Sequence, residues 1–427
     1  MMRLQIQEGT KYRGLQRLLQ TAMAGVGLLA GCSGGGVTLP SSPLPPVPAA
    51  SNATAYVGPQ APGYWTLSVD DTQNVFSYQP LSGATTSGGF ALTNGVLDLG
   101  NLQGVSLGKA VAQPAGGALL RPGGTATFPV TMVQQSDCIP VTGNLRYIYA
   151  ALLGQTLQEG QNVNSTGYGT FVVSTSSDGT SWNFSDVHNY VLTELQGGAF
   201  AAGTENGSDP ATFSAACSKN PTTGTVAADA NPAFPPDSTG MPSLPSFHFN
   251  PAGAFVEDRS TGESWMGFAM PQAAIKPSDV ATGTYRGFVF EGITSTPVDT
   301  DPVAFAGPSS NASTLQGGRF PNDDLTQTPG TEYNITLGTQ SSTLNGVFPN
   351  ATLTVADVNG YCASVALNDN SVTVGFDANG NEICTAAGVG VISQVSGKYV
   401  LYFTSHDGTR EQGGTFSYAI QFYLYQQ

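Results

Sequence analysis

The sequence predicts an all-β protein of antiparallel sandwich or barrel-like lobes, two in number, following a Pro-rich tether. Three observations carry that expectation. Only 10% of the 427 residues are charged while Gly numbers 54 and Pro 28, the balance of a turn-rich β-protein and not of a helical bundle. Apolar residues alternate with polar ones in short runs bounded by turn residues, and helical spacing is suggested only for a turn near Pro271 to Ala281. Hairpin dipeptides recur: Asp178-Gly179, Asn379-Gly380 ahead of Glu382 to Thr385, and Asp407-Gly408, each supplying the positive φ angles of tight turns.

The clearest expected strands, in order, are Tyr64 to Val69, Asn144 to Leu152, Gly169 to Ser174, Thr284 to Glu291, Ala351 to Ala356, Ser371 to Phe376, Lys398 to Thr404 and Phe416 to Tyr425. The last places Phe416, Tyr418, Ile420, Phe422 and Leu424 on one face and Ala419, Tyr423 and Tyr425 on the other. Its end is apolar on both sides. That fits a strand covered by protein on each face, or one in a barrel with lipid outside. Against the second reading, the chain finishes on Gln426-Gln427 and the rest lacks regular ten-residue spans.

Arg3, Lys11, Arg13 and Arg17 precede an apolar run from Leu18 to Leu29 that is too short and interrupted to span a bilayer, the pattern of an export signal. The run closes on Leu29-Ala30-Gly31-Cys32, which resembles the lipobox of bacterial lipoproteins. The resemblance implies cleavage before Cys32, acylation of its sulfur, and, with Ser33 next instead of Asp, delivery to the outer membrane. Attachment through two or three acyl chains, at about 0.8 kcal/mol per buried methylene, is stable where a single chain is not. In overall layout the chain is similar to proteobacterial envelope lipoproteins of unknown function, a likeness specific only across residues 18–33.

Without residues 1–31 the chain keeps 10 basic and 28 acidic residues, a net charge of −18. This argues against nucleic acid as a partner and against adhesion to anionic headgroups through a basic patch. From Ser33 to about Pro62 the composition is that of a Gly- and Pro-rich tether, extending by about 3.1 Å per residue in its Pro-rich part. Prolines crowd again over 220–245, read as an inter-lobe linker or long loop between a β-rich lobe over 63–219 and a second over 246–427. A faint echo recurs at Gly63-Tyr64-Trp65, Gly167-Tyr168-Gly169, Gly283-Thr284-Tyr285 and Gly397-Lys398-Tyr399, with spacings of 104, 116 and 114 residues. Strands leaving a glycine turn with an aromatic residue account for it. Gly63-Tyr64-Trp65 also resembles the Gly-x-Trp opening of lipocalin-like barrels, with no second motif beside it.

Besides Cys32, the chain carries Cys138, Cys217, Cys362 and Cys384, an even set in an exported protein. Their spacing favours pairing Cys138 with Cys217 and Cys362 with Cys384, which would stabilise the fold by roughly 4.5 and 3.4 kcal/mol through loop closure. No Cys-x-x-Cys spacing suggests a metal site instead.

The search for chemistry returns no catalytic, cofactor-binding or metal-ligating set. Gly262-Glu263-Ser264-Trp265-Met266-Gly267 misses a nucleophile elbow by one residue. Asp186 and His188 share a strand face but have no identifiable serine, and His188, His248 and His406 are the only histidines, widely scattered. The adjacent acids Asp70-Asp71, Glu257-Asp258 and Asp323-Asp324 cannot face one another on a strand. The run from Asp377 to Glu382 reads as a hairpin turn, with a calcium loop as its alternative. Tyr147 and Tyr149, with Trp265, Tyr285 and Arg286, are core packing or else an aromatic platform for a glycan or protein partner. The expected function is a lipid-anchored binding or structural module that is not an enzyme and reaches the membrane through Cys32. The alternatives are an envelope glycan hydrolase using carboxylates from separate strands, and an assembly factor with an exposed apolar patch or free strand edge.

Overall fold

The computed structural model describes residues 53–60, 63–80, 84–102, 105–112, 117–123, 130–134, 145–153, 167–176, 181–191, 204–205, 212–219, 226–230, 245–249, 255–259, 265–293, 296–307, 312–356, 372–377, 379–405 and 418–427. The described body is all-β and antiparallel throughout, its strands sorted in chain order into three nine-stranded sheets.

The first sheet contains β1 (Thr54–Gln60), β2 (Gly63–Asp70), β3 (Val75–Pro80), β4 (Thr86–Gly89), β5 (Ala91–Thr93) and β6 (Val96–Asp98). A two-stranded ribbon follows, β7 (Asn101–Leu102) with β8 (Val105–Ser106), and the sheet resumes with β9 (Gly108–Ala112), β10 (Gly117–Pro122) and β11 (Val130–Gln134). Its order is β4-β3-β2-β1-β11-β10-β9-β6-β5, so the two edge strands are neighbours in sequence, separated by Phe90. The sheet thereby curls into a nearly closed barrel around Tyr56, Leu67, Phe76, Leu97, Leu120 and Met132.

The second sheet contains β12 (Leu145–Leu153), β13 (Gly167–Thr175), β14 (Ser181–Val191), β15 (Thr204–Glu205), β16 (Thr212–Lys219), β17 (Val226–Ala230), β18 (Pro245–Phe249), β19 (Phe255–Arg259) and β20 (Trp265–Pro271). β13 pairs with both β12 and β14, which joins the ends of the order β13-β12-β20-β19-β18-β17-β16-β14. The Pro-rich stretch 220–245 contributes β17, and this sheet draws strands from both sides of it.

A short helix, α1 (Pro277–Ala281), starts on Pro at its first turn, where the missing N–H costs nothing, and leads into the third sheet. That sheet contains β21 (Thr284–Ile293), β22 (Thr296–Ala306), β23 (Thr314–Arg319), β24 (Tyr333–Thr336), β25 (Val347–Ala356), β26 (Val372–Phe376), β27 (Glu382–Val395), β28 (Lys398–Ser405) and β29 (Tyr418–Gln426). β25 pairs with β24 on one side and β27 on the other, closing a barrel of eight strands, while β26 continues the line of β28 along one edge of β27. Closure removes the free edges that an open sheet of this size would expose.

Alternation along the barrel strands sorts their side chains. Tyr285, Phe305, Leu315, Tyr333, Leu353, Ile392, Phe403 and Phe422 from the eight strands meet in one buried cluster, the barrel interior. Phe422 sits at its centre, with ring centroids 5.1 Å from Tyr333, 5.3 Å from Phe305 and 6.1 Å from Phe403. The Tyr285 hydroxyl donates to the Val280 carbonyl at 2.8 Å, which fastens α1 across the barrel end. The opposite face of the same strands carries Phe288, Val391, Val400, Tyr402, Tyr423 and Tyr425, and these share a second cluster with Val96, Val111 and Leu119 of the first sheet and Ile148, Tyr168 and Met270 of the second. Along this wall the barrel is therefore apolar outside because protein covers it, the first of the two readings that the β29 pattern allowed.

Candidate functional site: the seam between the first sheet and the barrel

Polar chemistry among the described residues concentrates where the first sheet meets the barrel. Arg121 of β10 donates from Nη1 to Asp323 Oδ2 at 2.6 Å, and Lys109 of β9 brings its Nζ to 4.0 Å from the same oxygen. Asp323 lies in the short turn Pro321–Asp323 after β23, where Asn322 and Asp323 both have left-handed backbone, φ 54° and 60°. Such a turn aims the carboxylate out of the barrel and at the two cations. Lys109 is 7% exposed and the arrangement keeps its charge compensated.

A second contact comes from the β5–β6 hairpin. Asn94 and Gly95 form its two-residue turn with φ 51° and 78°, the geometry that Asn-Gly favours. Asn94 Nδ2 donates to the Leu325 carbonyl at 2.7 Å, and Arg286 of β21 donates from Nε to the Asn94 carbonyl and from Nη1 to its own neighbour Tyr285. Burial lowers the pKa of the Arg286 guanidinium. Nearby, Gly117 carries no side chain at the point where a Cβ would stand 2.8 Å from the Tyr425 hydroxyl, so the ring of Tyr425 lies against the first sheet. The second sheet is tied to the barrel by Ser393, whose hydroxyl donates to the Pro271 carbonyl.

Tyrosines dominate this buried seam. Burial raises the pKa of Tyr402, Tyr423 and Tyr425, with Tyr402 adding to the effect at Tyr423 and Tyr56 to that at Tyr425. Tyr56 in the first sheet is raised by burial and then by Asp71. All are neutral phenols at any physiological pH. The rings of Tyr402 and Tyr423 lie 5.3 Å apart and tilted by 51°.

The expected site residues fall as follows. Tyr285 is fully buried in the barrel interior and Arg286 reaches into the seam, so neither belongs to an exposed aromatic platform. The side chains of Tyr147, Tyr149 and Trp265 lie outside the described residues. Asp186 is ion-paired with Arg146 across the second sheet and sits at φ 51° in a bulge between β13 and β14, which breaks the simple alternation that placed it beside His188. Nothing is described of the side chains of His188, His248 and His406, nor of Glu257 and Asp258.

Three further acids serve turns. Asp70 Oδ1 accepts from the Thr72 hydroxyl and the N–H groups of Thr72 and Gln73, which lowers the Asp70 pKa, the Thr72 hydroxyl most. Asp324 is lowered in the same way by Thr326 and Gln327. Asp377 accepts from the side-chain amide and N–H of Asn381 and from the N–H of Asn379, closing the β26–β27 hairpin and lowering its own pKa, and Gly380 there has φ 82°. Those oxygens are committed to the loop. Among the described residues no three His, Cys, Asp or Glu side chains group as metal ligands. Cys32, Cys138 and Cys362 lie outside the described residues, as does the side chain of Cys217.

Sequence reasoning missed Lys109, Arg121 and Asp323 as partners, since 202 residues separate the Arg121–Asp323 pair and no local pattern announces it. Asn94-Gly95, a turn dipeptide of the same kind as those named, was not singled out, and nothing local marks it as a docking element.

No protein-family model matches the chain, and no curated protein sequence matches it. Among solved structures it is 10% identical to a mutant of the vaccine antigen Transferrin Binding Protein B (TbpB) from Haemophilus parasuis Hp5, with 85% of this chain and 66% of that chain covered and a TM-score of 0.25. The chain thus spans less than two thirds of that relative's length. Helicobacter pylori beta clamp in complex with 5-chloroisatin is 9% identical, covering 79% of this chain and 91% of that one at a TM-score of 0.11. The same clamp with 3,4-difluorobenzamide is 10% identical, covering 79% and 92% at 0.12. At these identities and TM-scores the likenesses carry no inference about this chain. No helix among the described residues is long and apolar enough to cross a membrane.

Proposed function

We propose that the chain is a lipoprotein of the cell envelope, held to the outer membrane by acyl chains on Cys32, whose β-sheet body works as a binding or structural module. The observation that carries this reading is the sequence Leu29-Ala30-Gly31-Cys32 at the end of a basic and then apolar leader. The seam supports the module reading: its charges join sheets, its tyrosines are neutral and buried, and the neighbouring Asp324 caps a turn, which are the features of a rigid scaffold. Disulfides Cys138–Cys217 and Cys362–Cys384 belong to the same proposal. Cys384, 3% exposed in the barrel core and disulfide-bonded, supports the second of them.

The test is metabolic labelling with a fatty acid. The native chain takes up label, and Cys32→Ala abolishes it and releases the body into the soluble fraction. Label persisting in Cys32→Ala, or native protein that keeps its leader, would falsify the reading.

A further inference from the structure

We propose that Asn379 is a site of spontaneous covalent modification, where ring closure with Gly380 expels the side-chain amide and leaves isoaspartate in the β26–β27 turn, while tertiary contacts hold back other Asn-Gly pairs of the same chain. Five such pairs occur, at Asn94, Asn206, Asn345, Asn359 and Asn379, and the first, third and fifth lie in the described residues. The pair is reactive because glycine has no Cβ to hinder approach of its nitrogen. The Gly380 nitrogen gives up its proton and bonds to Asn379 Cγ, the bond from Cγ to Nδ2 breaks, and Nδ2 leaves as ammonia with a proton in place of the one lost. Solvent water then opens the cyclic imide. Attack at Cγ leaves aspartate, and attack at the backbone carbonyl leaves isoaspartate, with the main chain routed through Cβ.

Surroundings separate the three described pairs. At Asn345 the Gln340 side chain holds both reacting groups: its Oε1 accepts from the Gly346 N–H at 3.0 Å and its Nε2 donates to Asn345 Oδ1 at 3.3 Å. Gln340 is itself fixed, since Oε1 also accepts from the Ile275 N–H at 2.7 Å. Gly346 is buried, and a Cβ there would collide with the Ile392 carbonyl and stand 2.7 Å from Ile148 Cδ1, so the backbone has no room to swing. At Asn94 the amide that would leave donates to the Leu325 carbonyl at 2.7 Å, while the Asn94 carbonyl accepts from Arg286, both across the seam. A Cβ at Gly95 would stand 2.5 Å from Gln427 Oε1 and 2.9 Å from Arg286 Cγ. Ring closure at either place has to undo packing between distant parts of the chain.

The third pair is open. Asn379 and Gly380 are both exposed, and a Cβ on Gly380 would meet nothing within 4 Å among the described residues. The contacts shown there run to Asp377 of the same turn: the Gly380 N–H donates to the Asp377 carbonyl at 3.0 Å and the Asn379 N–H to Asp377 Oδ1 at 2.8 Å. Bonds confined to one exposed loop open by local fluctuation, whereas the other two pairs need a larger opening. The product alters this turn directly. Isoaspartate adds a carboxylate beside Asp377 and lengthens the main chain between the Asn379 and Asn381 N–H groups that Asp377 Oδ1 holds.

The full native chain is incubated in mildly alkaline buffer, folded and in guanidinium chloride, and its peptides are followed by mass spectrometry for aspartate and isoaspartate. In the folded chain, conversion at Asn379 is expected to run about tenfold or more ahead of Asn94 and Asn345, the factor that retained tertiary hydrogen bonds impose. In denaturant the three rates converge, because local sequence alone then acts. Gln340→Ala is expected to raise the Asn345 rate about tenfold and leave Asn379 unchanged. No conversion at Asn379 in the folded chain, conversion at Asn94 or Asn345 as fast as at Asn379, an order that persists unchanged in denaturant, or a folded Gln340→Ala chain whose Asn345 stays as slow as before would each overturn the proposal. The native-chain comparison decides by itself if Gln340→Ala fails to fold.

Discussion

β29 and the β7–β8 ribbon are built from similar apolar residues and meet opposite fates. In β29 every side chain from Ile420 to Tyr425 is buried, the even positions inside the barrel and the odd ones under neighbouring sheets. In the ribbon Leu102 and Val105 stand in solvent. Both carry large apolar side chains, and a second surface arrives over one and not over the other. Burial in this protein is a property of how sheets stack, and strand sequence only makes it affordable to be covered.

That contrast breaks first at Phe422, which touches three other rings in the barrel interior. Phe422→Ala should cost about 3–5 kcal/mol, read as a fall in urea midpoint at constant slope. A loss under about 1 kcal/mol would mean that the barrel interior is not packed as a single core.

Alkali probes the buried tyrosines. The pKa values of Tyr56, Tyr285, Tyr402, Tyr423 and Tyr425 are all raised above the ordinary 10.0, so the folded state holds its phenolic protons longer than the unfolded one. Stability is therefore complete below pH 10.0 and falls as pH rises from there toward the folded-state values. Tyrosinate absorbance for these residues should appear together with loss of tertiary structure. Their smooth titration in a protein that stays folded would show these cores open to water.

The smallest effect sharpens the comparison from the other side. Leu102→Ser should change stability by no more than about 0.5 kcal/mol in thermal or urea unfolding, since about half of the side chain is exposed. A larger loss would show that the ribbon is packed after all.

Much of this was legible in sequence for local reasons. Period-2 runs marked β2, β12, β13, β21, β26, β28 and β29 closely and the second half of β25, and Asn379-Gly380 marked the β26–β27 turn, because side-chain alternation and positive φ are properties of a few adjacent residues. The seam was not legible. Arg121 finds Asp323, and Arg286 finds Asn94, only after strands far apart in the chain have been stacked. Tyr285 read as core packing ahead of a platform, and its burial in the barrel interior agrees with that reading.

By itself the sequence determined that the body is β-structured, where many strands turn, and that its surface is acidic, since each follows from composition or short-range spacing. Only the tertiary structure decided that the strands sort into three sheets, that eight of them close into a barrel, and which apolar faces become core. Those outcomes depend on pairing registers and on surfaces brought together over hundreds of residues, and no local pattern encodes which face will meet another.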